Sequence, residues 1–370
     1  MIYSIKLKNF KPFPELQLPL NPLTLLSGLN STGKSSVLQS LLLLRQSYQQ
    51  QLLPQTGLAL NGDLVNIGTA QDALFENAIE DAIEFEVIWT DDIKGVWRFD
   101  YNRESDVISI DPSLGIPEKI YQTSLFNDTF HYLQADRIVP RPFFETSDFQ
   151  VRQHCQLGSR GEYAVHFLYT YQDEKTSNSQ LQHPLANSLT LGDQVEAWIG
   201  EVSPGTRIKV TSSPDMDLMS LQYSYGLSNP YRATNTGFGV TYTLPIIVAV
   251  LASKPGTLIL IENPEAHLHP KGQAKMGELL ALAASCGIQI IIETHSDHVL
   301  NGIRLAVHDG KLNPDDVQLH YFQRIEKDGI AMSEVVSPSI DRNGRIDQWP
   351  EGFFDEWDNI LYKLLKPAEK

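Results

Sequence analysis

Apolar residues recur along this chain in three rhythms, and each predicts a different element. Alternation with polar residues marks strands buried on one face: Ile2, Ile5 and Leu7, then Leu16 and Leu18, predict two short strands joined at Pro12-Phe13-Pro14. The same alternation runs through Ala82–Trp89, Val96–Tyr101, Val107–Ile110, Arg207–Thr211 and Met216–Tyr225, and later strands are predicted at Val317–Phe322 and Ile330–Val336. Unbroken runs predict strands buried on both faces, the habit of parallel sheets: Leu23–Leu26, Thr257–Ile261 and Ile288–Ile292. Helical spacing is the third rhythm. Val37, Leu38, Leu41, Leu42 and Leu44 crowd more than one face of a helix, which predicts that it lies between the sheet and other elements. Gly192–Trp198 and Leu244–Leu251 predict further helices. Phe353, Phe354, Trp357, Ile360, Leu361, Leu364 and Leu365 predict an amphipathic one near the end, expected to pack against the body or, alternatively, to dock a partner.

Each doubly buried run is followed by polar residues with a chemistry of their own. Gly28-Leu29-Asn30-Ser31-Thr32-Gly33-Lys34-Ser35-Ser36 fills every fixed position of the phosphate-binding loop G-x-x-x-x-G-K-[ST], between a predicted strand and a predicted helix. Glycines let the main chain approach phosphates, loop N–H groups and the helix start supply positive potential, and Lys34 adds a full charge near the β and γ phosphates. Ser35 supplies a hydroxyl for Mg²⁺. Nucleotide binding is therefore expected through Gly28, Asn30, Ser31, Thr32, Gly33, Lys34, Ser35 and Ser36, with Lys11, at the turn after Phe10, placed to reach the adenine.

The second run ends in Glu262, a carboxylate at the end of a central strand, where an acid orienting Mg²⁺ has to sit. The third ends in Glu293-Thr294-His295-Ser296, which puts His295 at the γ-phosphate. Thr236-Gly237-Phe238-Gly239 opens a helix and makes a second anion-binding end. One chain has no use for two such ends facing one γ-phosphate, so two chains arranged head to tail are expected.

Composition narrows the picture. A chain of 370 residues suits several lobes better than one core, and 42% hydrophobic with 20% charged residues describes a globular protein. The longest apolar run, Leu244–Ala252, contains Pro245 and is too short to span a bilayer, and residues 1–20 hold no secretory pattern, so a cytoplasmic protein is expected. Cys155 and Cys286 lie in unrelated contexts, Cys286 reading as a helix core position. The net charge of −16 is uneven: residues 1–60 carry five Lys/Arg against Glu15, which leaves 24 positive and 44 negative charges in the rest. Any DNA contact must then be a local patch. The four arginines of residues 131–160 suit burial, nucleotide contact or such a patch equally. His267, His269, His295 and His298 have no Cys partner nearby and fall in segments already explained, so no metal beyond Mg²⁺ is expected.

Taken in order, Gly28–Ser35, Gly237 with Gly239, Ile261-Glu262-Asn263-Pro264-Glu265-Ala266-His267-Leu268-His269-Pro270 and Glu293–Ser296 resemble the ATP-binding-cassette (ABC) head of the SMC, RecF and OLD (overcoming lysogenisation defect) ATPases. The resemblance covers residues 1–70 and 232–308 directly. It implies an α/β P-loop NTPase of the ABC-ATPase head type, with the core in residues 1–71 and 233–308, an inserted lobe in 72–232 and a short C-terminal extension in 309–370. Trp349–Glu356 looks like the C-terminal segment of an uncharacterised bacterial subgroup. ATP and Mg²⁺ are the implied cofactors, and an ATP-dependent homodimer the implied assembly. Because members of the wider family work beside a nuclease or other effector in antiphage systems, the implied role is a molecular switch controlling such an effector in bacterial antiphage defence. The alternative is a RecF-like clamp that grips DNA.

Two departures shape the chemistry. Where the family has a second acid in tandem, this chain has Asn263, which cannot accept a proton. Either hydrolysis is slow and ATP serves as a dimerisation clamp, or Glu293 or Glu265 supplies the base, Glu293 being favoured by its neighbour His295. Gly237-Phe238-Gly239 also lacks the serine-glycine-glycine-glutamine of transporter cassettes, which argues against a transporter subunit.

Overall fold

The computed structural model describes residues 1–327 and 329–366. The opening alternation forms β1 (Ile2–Phe10) and β2 (Phe13–Pro19), and the first unbroken run forms β3 (Leu23–Gly28), which feeds α1 (Lys34–Gln49). There follow β4 (Gly57–Ala59), α2 (Ala70–Ala73), β5 (Ala82–Trp89), β6 (Lys94–Asp100), β7 (Val107–Ser109) and β8 (Phe130–Leu133). The middle of the chain holds β9 (Phe144–Glu145), α3 (Ala164–Tyr171), α4 (Leu191–Val202), β10 (Thr206–Ser213), β11 (Leu218–Tyr225) and β12 (Tyr231–Arg232). The last part holds α5 (Phe238–Ala252), β13 (Leu258–Glu262), α6 (Pro270–Ser285), β14 (Gln289–Glu293), α7 (Asp297–His308), β15 (Val317–Lys327), β16 (Ile330–Val336) and α8 (Glu356–Leu364).

A central sheet runs in the order β16-β15-β3-β14-β13-β8, parallel from β15 to β8 with β16 antiparallel at one edge. Its two faces account for the unbroken runs. Along β13, Leu258 and Leu260 enter one core while Ile259 and Ile261 enter the other; along β14, Ile291 enters the first and Ile290 and Ile292 the second. A strand covered on both sides has no solvent positions to make polar. The first core holds α1 between this sheet and the antiparallel sheet β2-β1-β5-β6. Val37, Leu38, Leu41, Leu42, Leu43 and Leu44 are accordingly all fully buried, each worth roughly 2 kcal/mol before entropy is counted. The second core gathers α3 to α7 with β10 and β11 on the opposite face.

Two expected boundaries move. Residues 72–133 do not belong to a lobe inserted at 72–232: β5 is hydrogen-bonded between β1 and β6, with Ile83, Phe85 and Val87 buried in the α1 core, and β8 pairs in parallel with β13. That alternation belongs to a sheet continuing the N-terminal hairpin. From Gln134 the chain leaves the sheet to build α3, α4 and β9 to β12 around α5. Nor is 309–370 an appendage throughout, because β15 lies in the central sheet beside β3, with Leu319, Tyr321 and Phe322 buried.

The last helix does not pack on the body as expected. Trp357, Ile360, Leu361 and Leu364 of α8 are exposed, and anchoring falls to Phe353, fully buried against Tyr321 before the helix begins. Cys286 caps α6 at its end, half-buried, where a core position within the helix was expected. Among the described residues no helix is long and apolar enough to cross a membrane.

Candidate functional site

Parallel strands end together, so β3, β14, β13 and β8 deliver their following residues to one edge of the sheet. Between the loop after β3 and the β1–β2 turn lies a cleft of about 420 Å³ lined by Lys11, Asn30 to Ser36, Gln39, Glu293 and Arg324. Gly33, at φ 96°, caps α1 in a conformation that a side chain would resist. The buried Lys34 donates its ammonium to the carbonyls of Gly28 (2.9 Å) and Leu29 (2.8 Å). Burial lowers its pKa, and the Glu293 charge opposes that shift. The Thr32 hydroxyl braces the loop by donating to the Leu29 carbonyl at 2.8 Å. Lys11 donates to Gln39 Oε1 at 2.7 Å on the cleft wall, while Phe10 is core, edge-on to Phe85.

The acid that meets the loop is Glu293. Ser35 Oγ donates to Glu293 Oε1 at 2.9 Å, and Glu293 Oε2 is buried with no hydrogen-bond partner. Burial above all, then the Glu262 charge, pushes the Glu293 pKa up to about 7, against the pull of the Ser35 hydrogen bond and Lys34. An unpartnered carboxylate oxygen beside the loop hydroxyl fits Mg²⁺, a hard cation that takes a few oxygen ligands and keeps several waters. The Ser35 hydroxyl thus meets Glu293, where the sequence led us to expect Glu262. Glu262 is turned toward β8, where Oε1 accepts from Tyr132 Oη and Oε2 from the Ala135 N–H, both at 2.9 Å.

Glu265 is also engaged. Its Oε2 accepts from Thr294 Oγ1 at 2.7 Å and its Oε1 from the His295 N–H at 2.9 Å, so it fastens the exit of β14. A free base at Glu265, left open by the sequence, does not suit this geometry. The His295 residue is exposed overall, and its pKa is lowered by partial burial and then by the Lys34 charge, against the pull of Glu265. Asn263 sits at φ 45° with its N–H donating to the Glu293 carbonyl at 2.7 Å. Asn tolerates this left-handed conformation better than most residues, a main-chain reason for its place after Glu262.

At the second anion-binding end, Gly237 caps α5 and is open to solvent, with no atom within 4 Å of where a Cβ would stand. Gly239 faces inward, since a Cβ there would lie 2.5 Å from the His267 carbonyl oxygen. The Thr236 hydroxyl donates to the Ala233 carbonyl at 2.8 Å. None of the three lines the phosphate-loop cleft.

Three family models match: an AAA ATPase domain over residues 1–139, an AAA domain whose description names the AbiEii toxin of a type IV toxin–antitoxin system over 182–301, and a protein of unknown function (DUF3696) over 312–364. A curated relative, the OLD nuclease of Thermus scotoductus, is 24% identical over 331 residues, covering 80% of this chain and 59% of its own length. Solved structures with this fold include an SMC head bound to the C-winged helix domain of ScpA, at 14% identity and TM-score 0.54, covering 92% of this chain and 98% of that one. Another is an SMC head domain with an extended coiled coil, bound to the C-terminal domain of ScpA derived from Pyrococcus furiosus, at 13% identity and TM-score 0.52, covering 99% of each chain. The chain has the fold of an ABC-type ATPase head and is similar to SMC heads and to the OLD nuclease.

Some residues of this ATPase head escape a reading of the sequence. Arg324 donates to the Ser31 carbonyl at 3.3 Å and lines the cleft, yet it comes from β15 in the C-terminal segment. Its place two residues beyond Phe322, which pairs with Gly28, could be found only once β15 is known to lie beside β3. Tyr132 and Arg137 belong to the segment read as locally basic; Arg137 is fully buried, whereas Arg141, Arg152 and Arg160 are more exposed and face Glu145, Asp148 and Asp136. These arginines therefore make no bare basic patch.

Proposed function

We propose that the protein is an ATP-binding and hydrolysing switch, in which two heads close head to tail on two nucleotides and closure controls an effector. The observation that carries this reading is the Ser35–Glu293 pair, with its unpartnered oxygen, inside the phosphate-loop cleft. Mg²⁺ bound there would neutralise charge on the β and γ phosphates. Ser35 and Glu293 are the residues that would hold it, Glu293 giving up the proton that burial favours. Lys34 exchanges the Gly28 and Leu29 carbonyls for phosphate oxygens, and Lys11 and Arg324 flank the nucleoside end. With Glu262 and Glu265 both engaged and Asn263 unable to take a proton, no acid at the strand ends is free to activate water. Hydrolysis is then slow, and ATP acts chiefly as a clamp.

The Gly237 end, open to solvent and not part of the chain's own cleft lining, supports a composite site completed by a second copy. The relative named OLD nuclease is longer than the stretch this chain spans, about 59% of it, and SMC heads are seen bound to ScpA domains. By that analogy the switch acts on a nuclease or similar effector in cytoplasmic antiphage defence, with the exposed apolar face of α8 available for the contact. Equilibrium titration with a fluorescent ATP analogue tests the foundation. Lys34→Ala is expected to lose affinity by about 100-fold or more, and retained affinity would overturn the reading.

A further inference from the structure

We propose that Arg137 is the positioning residue that joins α5, whose glycine end faces the second nucleotide, to the strand end carrying Glu262 and Asn263. The inference rests on the head-to-tail reading. Arg137 is fully buried and its guanidinium is given over to main-chain carbonyls. Nη1 donates to Gln134 O (2.9 Å) and Glu262 O (2.5 Å), Nη2 to Asn263 O (2.6 Å) and Nε to Tyr242 O (3.3 Å), while the group lies 4.5 Å above the Tyr242 ring. Those carbonyls come from three separate elements: the exit of β8, the end of β13 and the second turn of α5. A buried cation is a poor filler, since an apolar side chain of similar volume stabilises a core as well or better. A rigid planar fork does something an apolar residue cannot, which is to fix three main-chain segments relative to one another.

Two further contacts run along the same line. Tyr242 Oη donates to the Ala135 carbonyl, and the Ala135 N–H donates to Glu262 Oε2 at 2.9 Å. The His267 ring packs edge-on against Tyr242, with centroids 4.9 Å apart, and its carbonyl is the atom that Gly239 approaches. The start of α5 cannot shift without moving residues 262–267. A nucleotide drawn against Gly237 from the second copy is thereby felt at Glu262 in this one.

The test compares the parent with Arg137→Lys, Arg137→Met and Tyr242→Phe in ATP affinity, ATP-dependent mass by light scattering, and turnover. Nucleotide affinity is expected to stay within about threefold, because the phosphate loop is untouched. The protein concentration at which ATP drives dimerisation should rise about tenfold, with kcat reduced in step, and lysine should not rescue, being a point charge. Arg137→Lys that dimerises and turns over like the parent overturns the proposal, as does a parallel loss of affinity and dimerisation, the mark of a merely structural residue. Should the Arg137 variants fail to fold, Tyr242→Phe decides, since it keeps the ring and the carbonyl: weakened dimerisation at normal affinity supports the link, and unchanged dimerisation refutes it. A parent that never dimerises with ATP removes the head-to-tail reading itself, and this inference with it.

Discussion

Glu262 and Glu293 end neighbouring parallel strands at the same register position, yet their surroundings are opposed. Glu262 has both oxygens satisfied by Tyr132 and Ala135 on the flank away from the phosphate loop. Glu293 has one oxygen on Ser35 and the other buried without a partner. A carboxylate at a strand end is thus only a candidate; what lies beside the strand decides its work. β13 has β8 next to it, which offers a hydroxyl and an N–H, and so fixes Glu262. β14 has β3 next to it, which brings the loop hydroxyl and a lysine, and so leaves one Glu293 oxygen buried without a partner.

Exchanging the acids should break the comparison most visibly. Glu293→Gln is expected to lower Mg²⁺-dependent ATP affinity by about 100-fold, and Glu262→Gln, which can still accept from one donor, by less than about tenfold. Calorimetric titration with and without Mg²⁺ checks both, and equal losses would erase the distinction. Should Glu293→Gln bind normally and accumulate ATP-bound dimers, Glu293 would be the base.

The two glycines of α5 make a second contrast. Gly237→Glu, in open space, should abolish ATP-dependent dimerisation while leaving nucleotide affinity intact. Gly239→Ala should destabilise the fold by about 1–3 kcal/mol, because the added Cβ meets the His267 carbonyl. Thermal melts and light scattering separate the two, and a Gly237→Glu protein that still dimerises would contradict the composite site.

A smaller effect tests the environment of Glu293 without nucleotide. Its pKa lies at about 7 in the folded protein against an ordinary 4.5. The unfolded chain therefore releases this proton first, and the folded state binds more protons between those values. Stability contributed by this group falls as pH rises from about 4.5 to about 7, by up to about 3 kcal/mol, and levels off above. Urea unfolding in EDTA should show that slope in the parent and lack it in Glu293→Gln; identical slopes would place Glu293 in a wetter setting.

Much of this was legible in the chain. The phosphate loop declares itself because its chemistry is local, and the runs through Ile261 and Ile292 declare themselves because double burial leaves no polar positions. β8 did not, since Phe130-His131-Tyr132-Leu133 is four residues with a histidine and a tyrosine, too short and too mixed for either strand pattern. Without β8, Tyr132 and Ala135 cannot be set beside Glu262, and the contact between Ser35 and Glu293 cannot be foreseen. Arg324 and Gly239 were obscured for the same reason. One depends on which strand neighbours β3, the other on which way a helix start faces, and both are contacts between residues far apart in the chain.

A switch of this kind has to close on ATP. The parent protein, weighed by light scattering with Mg²⁺ and either ATP or ADP, should double in mass with ATP alone. The same mass in both nucleotides would contradict the composite site and the switch built on it.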